Sequence, residues 1–177
     1  MSHVFLEREF NPALTTAEFW DMVRRVADCF QLHGVNWMGS CLAAGGRRML
    51  CHFNSPDSES VRIALRQSNS QLGPVWSGAV HEAPHLAGSD PGYSNVLVTR
   101  TWSKPVELAE IQAIEDAGAW CLQAHEVQFV RTFFSADRKR MDCLYHAPDA
   151  ESVRLAQHGA GMPVERVWAF ESMLPPK

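Results

Sequence analysis

One stretch of this chain occurs twice. Residues 49–62 read Met-x-Cys-(x)4-Pro-Asp-x-Glu-Ser-Val-Arg, and residues 141–154 repeat that pattern. Sliding the sequence by 92 positions aligns the two halves without a gap, from about Val4/Val96 to Trp76/Trp168. A match of this length predicts a duplicated structural unit of about 80 residues, which is enough for a small domain.

The composition is that of a globular protein, and it excludes several function classes. Of 177 residues, 46% are hydrophobic and 20% are charged, which is enough apolar material for a core. A net charge of −4, with Lys and Arg spread along the chain rather than concentrated in one segment, gives no footprint for nucleic acid. No apolar run approaches the roughly 20 residues that cross a bilayer, and the N-terminus lacks the features of a signal peptide. Five cysteines, an odd number, fit reduced thiols, so we expect a cytoplasmic protein without a membrane partner.

The hydrophobic periodicity changes in the same order in both halves. Alternating β-formers at 3–10 and 95–102 predict strands. Thr15 and Glu18 form a capping-box pattern before a helical stripe, whose counterpart contains Gly118 as a weak point. Two strands follow in each half, then a helix beginning at Pro56 or Pro148, then a last strand. The predicted bounds of these later strands are 35–43, 47–54 and 74–81, and then 127–134, 139–146 and 165–172.

This order, β-α-β-β-α-β, is that of the ferredoxin-like unit. We therefore predict an α+β protein with a first ferredoxin-like repeat at 1–84, a linker at 85–93 and a second repeat at 94–177. A four-stranded sheet with both helices on one face leaves its other face open. Two tandem copies on a short tether favour sheet-to-sheet packing, so we expect an α+β barrel.

Strand alternation divides the side chains between the helix-covered face and the open face. The first set, expected beneath the helices, comprises Val4, Leu6, Met49, Cys51 and Phe53. On the second strand, a single parity places Asn36, Met38 and Ser40 together on the open face.

The open face also collects the candidate site residues. Glu7, His52 and His146 are candidates for proton transfer, because a carboxylate and two imidazoles are the usual groups for it. Trp76 and Trp168 are candidate pocket walls, since a few polar groups among aromatic side chains are typical of a ligand site. The alternative for the histidines is an ordinary hydrogen-bonded role, and for the tryptophans a place in the core.

Two Cys–His pairs suggest a metal site. Cys29 and His33 lie four apart on the predicted helix, so both can reach one ion, and Cys121 with His125 repeats the pair. The alternative is structural. A cysteine on the core stripe behaves as a small apolar residue, and a histidine at the helix end can meet the last carbonyls.

No motif assigns a reaction. The sequence contains no Gly-rich phosphate loop, no His-Glu-x-x-His, no Cys-x-x-Cys and no nucleophile within a triad motif. Cys51 and Cys143 lie mid-strand in the apolar parity, which predicts unreactive thiols. Arg8 and Arg100 are expected to pair with acidic neighbours.

Several segments resemble a known family. They are Phe5-Leu6-Glu7-Arg8, Val35-Asn36-Trp37-Met38-Gly39-Ser40, Met49-Leu50-Cys51-His52-Phe53 and Pro56-Asp57-Ser58-Glu59, with Phe129-Val130-Arg131-Thr132-Phe133, Cys143-Leu144-Tyr145-His146-Ala147-Pro148 and Gly161-Met162-Pro163-Val164-Glu165-Arg166. These resemble a family of small bacterial single-domain proteins, catalogued as a domain of unknown function and including a nickel-binding member. The resemblance implies ferredoxin-like units that pair through their sheets, two of them fused here. Family members often carry histidine where this chain has Gly39 and Arg131, and near the family's other histidine only His158 is found.

Two hypotheses follow. The first is a binding protein for a transition metal, nickel in particular, with His52, His146, His33 and His125 as donors in or beside the inter-sheet space. The alternative is a small-molecule enzyme or ligand carrier that uses the cavity between the two sheets. A structural or partner-binding module is what is left if both fail. The partner is thus a metal ion or a small molecule, and homo-oligomer formation stays open.

Overall fold

The computed structural model describes residues 1–83, 86 and 91–176. The chain divides into two compact units, the first made of Met1–Gly78 with Glu171–Lys177 and the second of Ala79–Phe170. Most of the predicted linker at 85–93, and the boundary after residue 84, lie outside the described residues. Of that linker, Pro91–Tyr93 form one short 3-10 helix. The predicted domain bounds and the sheet-to-sheet barrel stay predictions.

The predicted α+β class is confirmed, and the elements follow the predicted order twice. The first set is β1 Ser2–Glu9, α1 Thr16–Leu32, β2 Asn36–Ala43, β3 Arg48–Ser55, α2 Ser58–Gln67 and β4 Val75–Glu82. The second set is β5 Val96–Thr101, α3 Leu108–Ala117, α4 Ala119–Ala124, β6 Gln128–Ser135, β7 Arg140–His146, α5 Ala150–Gly159 and β8 Arg166–Met173. Among the described residues, none of these helices is both long and apolar enough to span a bilayer.

The strand pairing is the same in both sets. β1 pairs antiparallel with β3 and β4, and β2 pairs with β3, giving the order β2-β3-β1-β4. In the second set β5 pairs with β7 and β8, and β6 pairs with β7. Each partner residue in one set is displaced by 92 positions from its equivalent in the other. Arg8 faces Met49, for example, and Arg100 faces Met141.

The helix starts show where local chemistry was predicted correctly and where it was not. Thr15 caps α1 as expected, since its hydroxyl accepts from the Glu18 N–H at 3.2 Å and its own N–H donates to the Glu18 carboxylate at 2.8 Å. The predicted start of α2 at Pro56 is wrong. Asp57 is the N-cap, because its carboxylate accepts the Ser60 N–H at 2.7 Å, and Asp149 caps α5 in the same way.

The helix-covered face of the first unit forms a continuous core. Val4 and Leu6 of β1 and Cys51 and Phe53 of β3 are buried in one cluster with Phe19 of α1, so the predicted parity of β1 and β3 is confirmed. The second unit buries its equivalent strand residues beneath α3, α4 and α5 in a cluster that comprises Val96, Val98, Met141, Cys143 and Tyr145.

A β-bulge changes the parity of β2. The pairing of β2 with β3 shifts between Trp37 and Gly39, and Gly39 has φ +146°, which residues with a side chain rarely adopt. Trp37, before the bulge, packs against the helix-side core. Beyond the bulge Ser40 lies on that same side, where it is hydrogen-bonded to the Trp37 indole. The prediction that Ser40 lies on the open face is therefore wrong, because one extra residue reverses the alternation.

The largest difference between the two units is in the first helix. α1 is continuous, whereas its counterpart is interrupted at Gly118 between α3 and α4. A Cβ at Gly118 would lie 2.4 Å from the Cβ of Ala160, so this close approach of the chain to the end of α5 requires glycine. The equivalent position in α1 is Val26, a buried side chain of the core.

Candidate functional site

A cavity of about 300 Å³ lies in the first unit between α1 and the strands β1, β2 and β3. Its size is at the lower end of the range for ligand sites, which is about 300–1,000 Å³. One face of α1 contributes Phe19, Met22, Val23, Val26, Ala27, Phe30 and Gln31; the facing side contributes Arg8, Val35, Asn36, Trp37, Ser40, Cys51 and Phe53. Most of these side chains are apolar, and a few polar groups stand among them.

The cavity opens to solvent near the C-terminal end of α1. Ala27, Gln31 and Asn36 line it and are exposed, so they form its mouth. Phe19 and Phe53 line it and are only 1% and 2% exposed, so they form its interior. The helix therefore covers an apolar space that a small molecule can enter from one side.

Arg8 places a positive charge in the wall of this cavity. The residue is only 5% exposed, one terminal nitrogen donates to the Met22 sulfur at 2.7 Å, and its Nε has no partner among the described residues. A thioether is a weak acceptor, and a buried cation without a good partner costs free energy. Burial lowers the pKa of Arg8 below its ordinary value, although the neighbouring Cys51 acts against this. An arginine nonetheless stays charged in proteins.

The other polar groups of the cavity wall do not neutralise Arg8. Ser40 accepts a hydrogen bond from the Trp37 indole N–H at 3.0 Å. Burial raises the pKa of the Cys51 thiol above its ordinary value, with Arg8 and Ser40 acting in the opposite direction. Cys51 is therefore a neutral thiol near pH 7, and the positive charge of Arg8 is not compensated by it.

The second unit gives its buried arginine oxygen acceptors. Arg100, at the position equivalent to Arg8, is completely buried, and one terminal nitrogen donates to the Tyr145 hydroxyl at 3.2 Å and to the Gln157 side-chain amide oxygen at 2.5 Å. Its Nε and its other terminal nitrogen have no hydrogen-bond partner among the described residues. The Tyr145 hydroxyl donates in turn to the Glu115 carboxylate at 3.4 Å. Burial alone acts to lower the pKa of Arg100, but Tyr145, Cys143 and Glu115 outweigh it and hold this pKa above its ordinary value.

The partners of Arg100 are absent at the equivalent positions of the first unit. Tyr145 corresponds to Phe53, Gln157 to Leu65, and Glu115 to Val23. All three polar partners are thus apolar around Arg8, while the arginine itself is the same. Val23 and Phe53 line the cavity, so the space beside Arg8 is bounded by carbon where the second unit has an acceptor.

The predicted open-face residues of the first unit form an aromatic stack. The Phe5 ring stacks on His52 at 4.9 Å and on Trp76 at 4.3 Å. His52 Nε2 lies 2.9 Å from His3 Nδ1, so the two imidazoles share a hydrogen bond. Glu7 is half-buried on β1. A role for Glu7, His52 and Trp76 in ligand binding stays a prediction.

The predicted residues of the second unit lie in separate places. His146 is exposed at the end of β7, where its ring stacks on Tyr93 at 4.3 Å and its Nδ1 lies 2.9 Å from the Tyr93 carbonyl. Trp168 packs edge-on against Phe170. Their predicted role as proton-transfer group and pocket wall stays a prediction.

The two Cys–His pairs lie at the ends of helices, and it is the backbone of each histidine, not its imidazole, that meets the last carbonyls. The backbone N–H groups of His33 and His125 close the ends of α1 and α4. The His33 ring contacts the Gln67 amide oxygen at 2.7 Å, and all five cysteines are free. Both histidines thus serve as helix C-caps.

Comparisons with known proteins give one family and one group of folds. The family described as "Nickel responsive protein SCO4226-like" matches residues 97–169, which is less than half of the chain. A comparison with curated proteins gives no match.

The similar solved structures cover nearly the whole chain at low identity. A mutant chlorite dismutase from Candidatus Nitrospira defluvii has a TM-score of 0.53 at 10% identity, covering 99% of this chain and 93% of its own. The enzyme from the same organism in complex with imidazole gives 0.52 at 11%, covering 98% and 91%. A heme-binding protein from Thermus thermophilus gives 0.52 at 10%, covering 97% and 90%. At this identity the likeness concerns the fold.

The predicted nickel or other transition-metal site is wrong. Within the described ranges, no group of three or more His, Cys, Asp or Glu is placed to hold an ion. The similar solved structures described above carry the names of chlorite dismutases and of a heme-binding protein, and none of these names mentions nickel. The predicted donors, His52, His146, His33 and His125, make the separate contacts described above.

Strand alternation does not predict the cavity, although the sequence carries a signal for it. Aligned at 92 positions, the halves keep Arg8 and Arg100, and the second half has polar residues where the first has Phe53, Leu65 and Val23. Three such changes around one unchanged arginine indicate that only the second half supplies its own polar partners. The signal was hidden because the β2 bulge and the helix packing decide which of these positions are neighbours.

Proposed function

We propose that the protein is a carrier of a small organic molecule, which it binds in the cavity beneath α1. The observation that carries this proposal is an open-mouthed apolar cavity in a core position, with one buried cation in its wall. A void beneath a core helix deprives its lining of contacts and costs stability, so filling it with a ligand is favourable. The alternative hypothesis from the sequence put a small molecule between the two sheets; the cavity proposed here is a different one, on the helix-covered side of β1, β2 and β3.

The composition of the cavity supports carriage more than catalysis. Its described lining contains no histidine and no carboxylate, which are the usual groups for proton transfer. Its one thiol, Cys51, has a raised pKa and so is a poor nucleophile.

Heme is the ligand that one structural neighbour's name suggests, and the residues of the cavity do not fit it. Heme iron takes His, Cys thiolate, Met or Tyr as its axial ligand. The described lining offers Cys51, whose pKa burial raises, and Met22, whose sulfur already accepts from Arg8.

A groove in the second unit fits heme no better. It contains His158, with Arg154–Glu151 and Arg166–Glu165 ion pairs along its walls. Four charged side chains alternate in its wall with Ala150, Met162, Val164 and Val167, so it offers no continuous apolar face of the kind that a porphyrin packs against.

We also infer that the two units are tandem copies of one ancestral unit in a cytoplasmic protein. Support for the first point is the common 92-residue displacement in every strand pairing and in the bulge of β2 and β6. Support for the second is that all five cysteines are free, as expected in a reducing compartment.

The test is an NMR titration with octanol, a neutral apolar molecule of suitable size. We expect ¹H–¹⁵N shifts to change at Phe19, Val26 and Phe53, and Ala27→Trp at the mouth to prevent this. The matched control is Ala17→Trp, because Ala17 is an exposed alanine of α1 outside the cavity. Octanol shifts that are absent, or that survive Ala27→Trp unchanged, contradict the proposal.

A further inference from the structure

We infer that the ligand is a monocarboxylate with an apolar body, whose carboxylate binds the guanidinium of Arg8. This inference rests on the proposed function, because it assigns a chemical class to the ligand of the same cavity. Three observations support it: Arg8 is buried, an apolar space lies beside it, and in the second unit the equivalent arginine has polar partners.

The positive charge of Arg8 is buried without an anionic partner among the described lining residues. Arg8 is only 5% exposed, and its described partner is the Met22 thioether. A buried charge is normally paired, because removing it from water without a partner costs free energy. An anion that enters the cavity supplies the missing partner, so binding an anion is worth more here than binding a neutral molecule.

The second unit shows which partners the buried arginine requires. Arg100 has two oxygen acceptors within hydrogen-bond distance and a carboxylate, Glu115, one hydrogen bond further away. In the first unit Val23 takes the place of that carboxylate and lines the cavity. The ligand's carboxylate therefore supplies the negative charge that Glu115 supplies in the second unit, but in direct contact with the arginine.

The lining residues also indicate the kind of anion. One guanidinium matches a planar carboxylate through two parallel hydrogen bonds. Among the described lining residues Arg8 is the sole cation, whereas a phosphate group calls for several donors or a helix N-terminus. The rest of the wall is largely carbon, which fits a hydrocarbon or aryl body.

The size of the cavity limits that body. At about 30 Å³ for each water-sized group, 300 Å³ holds roughly ten non-hydrogen atoms. Octanoate has this size, and octanol and octylamine differ from it mainly in the charge of the head group. These three compounds are therefore matched probes.

Calorimetric titration of the full chain with the three probes tests the inference. A charge-assisted hydrogen bond is worth enough that octanoate is expected to bind about ten- to a hundredfold tighter than octanol, with octylamine weakest. Equal affinity for octanoate and octanol overturns the inference and leaves the proposed function standing. Absence of binding by all three overturns both.

Two variants locate the effect. Arg8→Met is expected to bring the ratio of octanoate to octanol affinity close to one. Val23→Glu supplies the internal carboxylate of the second unit, so it is expected to remove octanoate binding, whereas Val23→Gln, its uncharged match, retains it. If Arg8→Met does not fold, the comparison of Val23→Glu with Val23→Gln tests the inference by itself. A preference for octanoate that survives Val23→Glu at its original size contradicts the assignment to Arg8.

Discussion

Tyr145→Phe tests whether the buried arginines depend on polar partners. The substitution removes one hydroxyl and keeps the ring, at a side chain that is 1% exposed. Arg100 then loses its bond to that hydroxyl at 3.2 Å, and Glu115 loses its donor at 3.4 Å. A hydrogen bond to a buried charged group is worth about 1.5–3 kcal/mol. Because both distances are long, we expect the free energy of unfolding to fall by about 2 kcal/mol.

Urea unfolding at pH 7, followed by circular dichroism, measures this change. The matched control is Phe53→Tyr, the reverse substitution at the equivalent position. It adds a hydroxyl beside Arg8, so we expect no loss of stability. The loss caused by Tyr145→Phe is also expected to depend on pH. Burial raises the pKa of Glu115 above its ordinary value, and Arg100 and the Tyr145 hydroxyl counteract this.

The sign of that dependence follows from the charged form of Glu115. The hydroxyl stabilises the carboxylate, so the difference between wild type and Tyr145→Phe is largest above the pKa of Glu115 and shrinks as the pH falls through it. A variant as stable as the wild type within about 0.5 kcal/mol at pH 7 refutes the reasoning, because that is the scatter of neutral substitutions. In that case the comparison of the two arginines carries no information about a ligand.

Three further predictions concern packing and the thiols. Gly118→Ala is expected to destabilise the protein by about 1–3 kcal/mol, because the added methyl group overpacks against Ala160. Adding Ala160→Gly is expected to restore most of this stability. Thermal unfolding measures both variants, and a stabilising effect of Gly118→Ala contradicts the close approach. Iodoacetamide is expected to modify Cys29, which is half-buried, well before Cys51, and mass spectrometry of timed samples shows the order; equal rates argue against the burial described. Burial raises the pKa of Cys143 to about 11, so its contribution to stability is complete below about pH 9 and is lost as the pH rises towards 11. Cys143→Ala is therefore expected to flatten the alkaline fall in stability measured by urea unfolding, and an unchanged slope contradicts this.

The sequence predicted the element order because the capping and alternation signals are strong and occur in the same order in both halves. The capping box at Thr15 and the alternation of β1 and β3 were both predicted correctly, since each depends on residues within one element. The start of α2 was misplaced by two residues because Asp57 and Pro56 both suit a helix start, and only the Asp57 hydrogen bond distinguishes them.

The site was harder to predict because it depends on packing between elements. The bulge at Gly39 turns Ser40 towards α1, and alternation alone gave it the opposite face. The donors predicted for a metal came from residue type, from helical spacing for His33 and from strand alternation for His52. None of these shows whether the two side chains approach one another. α1 runs unbroken past Val26, which lines the cavity, whereas the corresponding helix of the second unit is interrupted at Gly118.

The central claim is that the cavity beneath α1 binds an anion through Arg8, and a crystal structure with octanoate tests it most directly. We predict electron density for one octanoate in the cavity, with its carboxylate within hydrogen-bond distance of the Arg8 guanidinium and its chain against Phe19 and Val26. A cavity without octanoate at saturating concentration contradicts the claim. So does a ligand whose carboxylate lies at the mouth beside Gln31 with its chain towards Arg8.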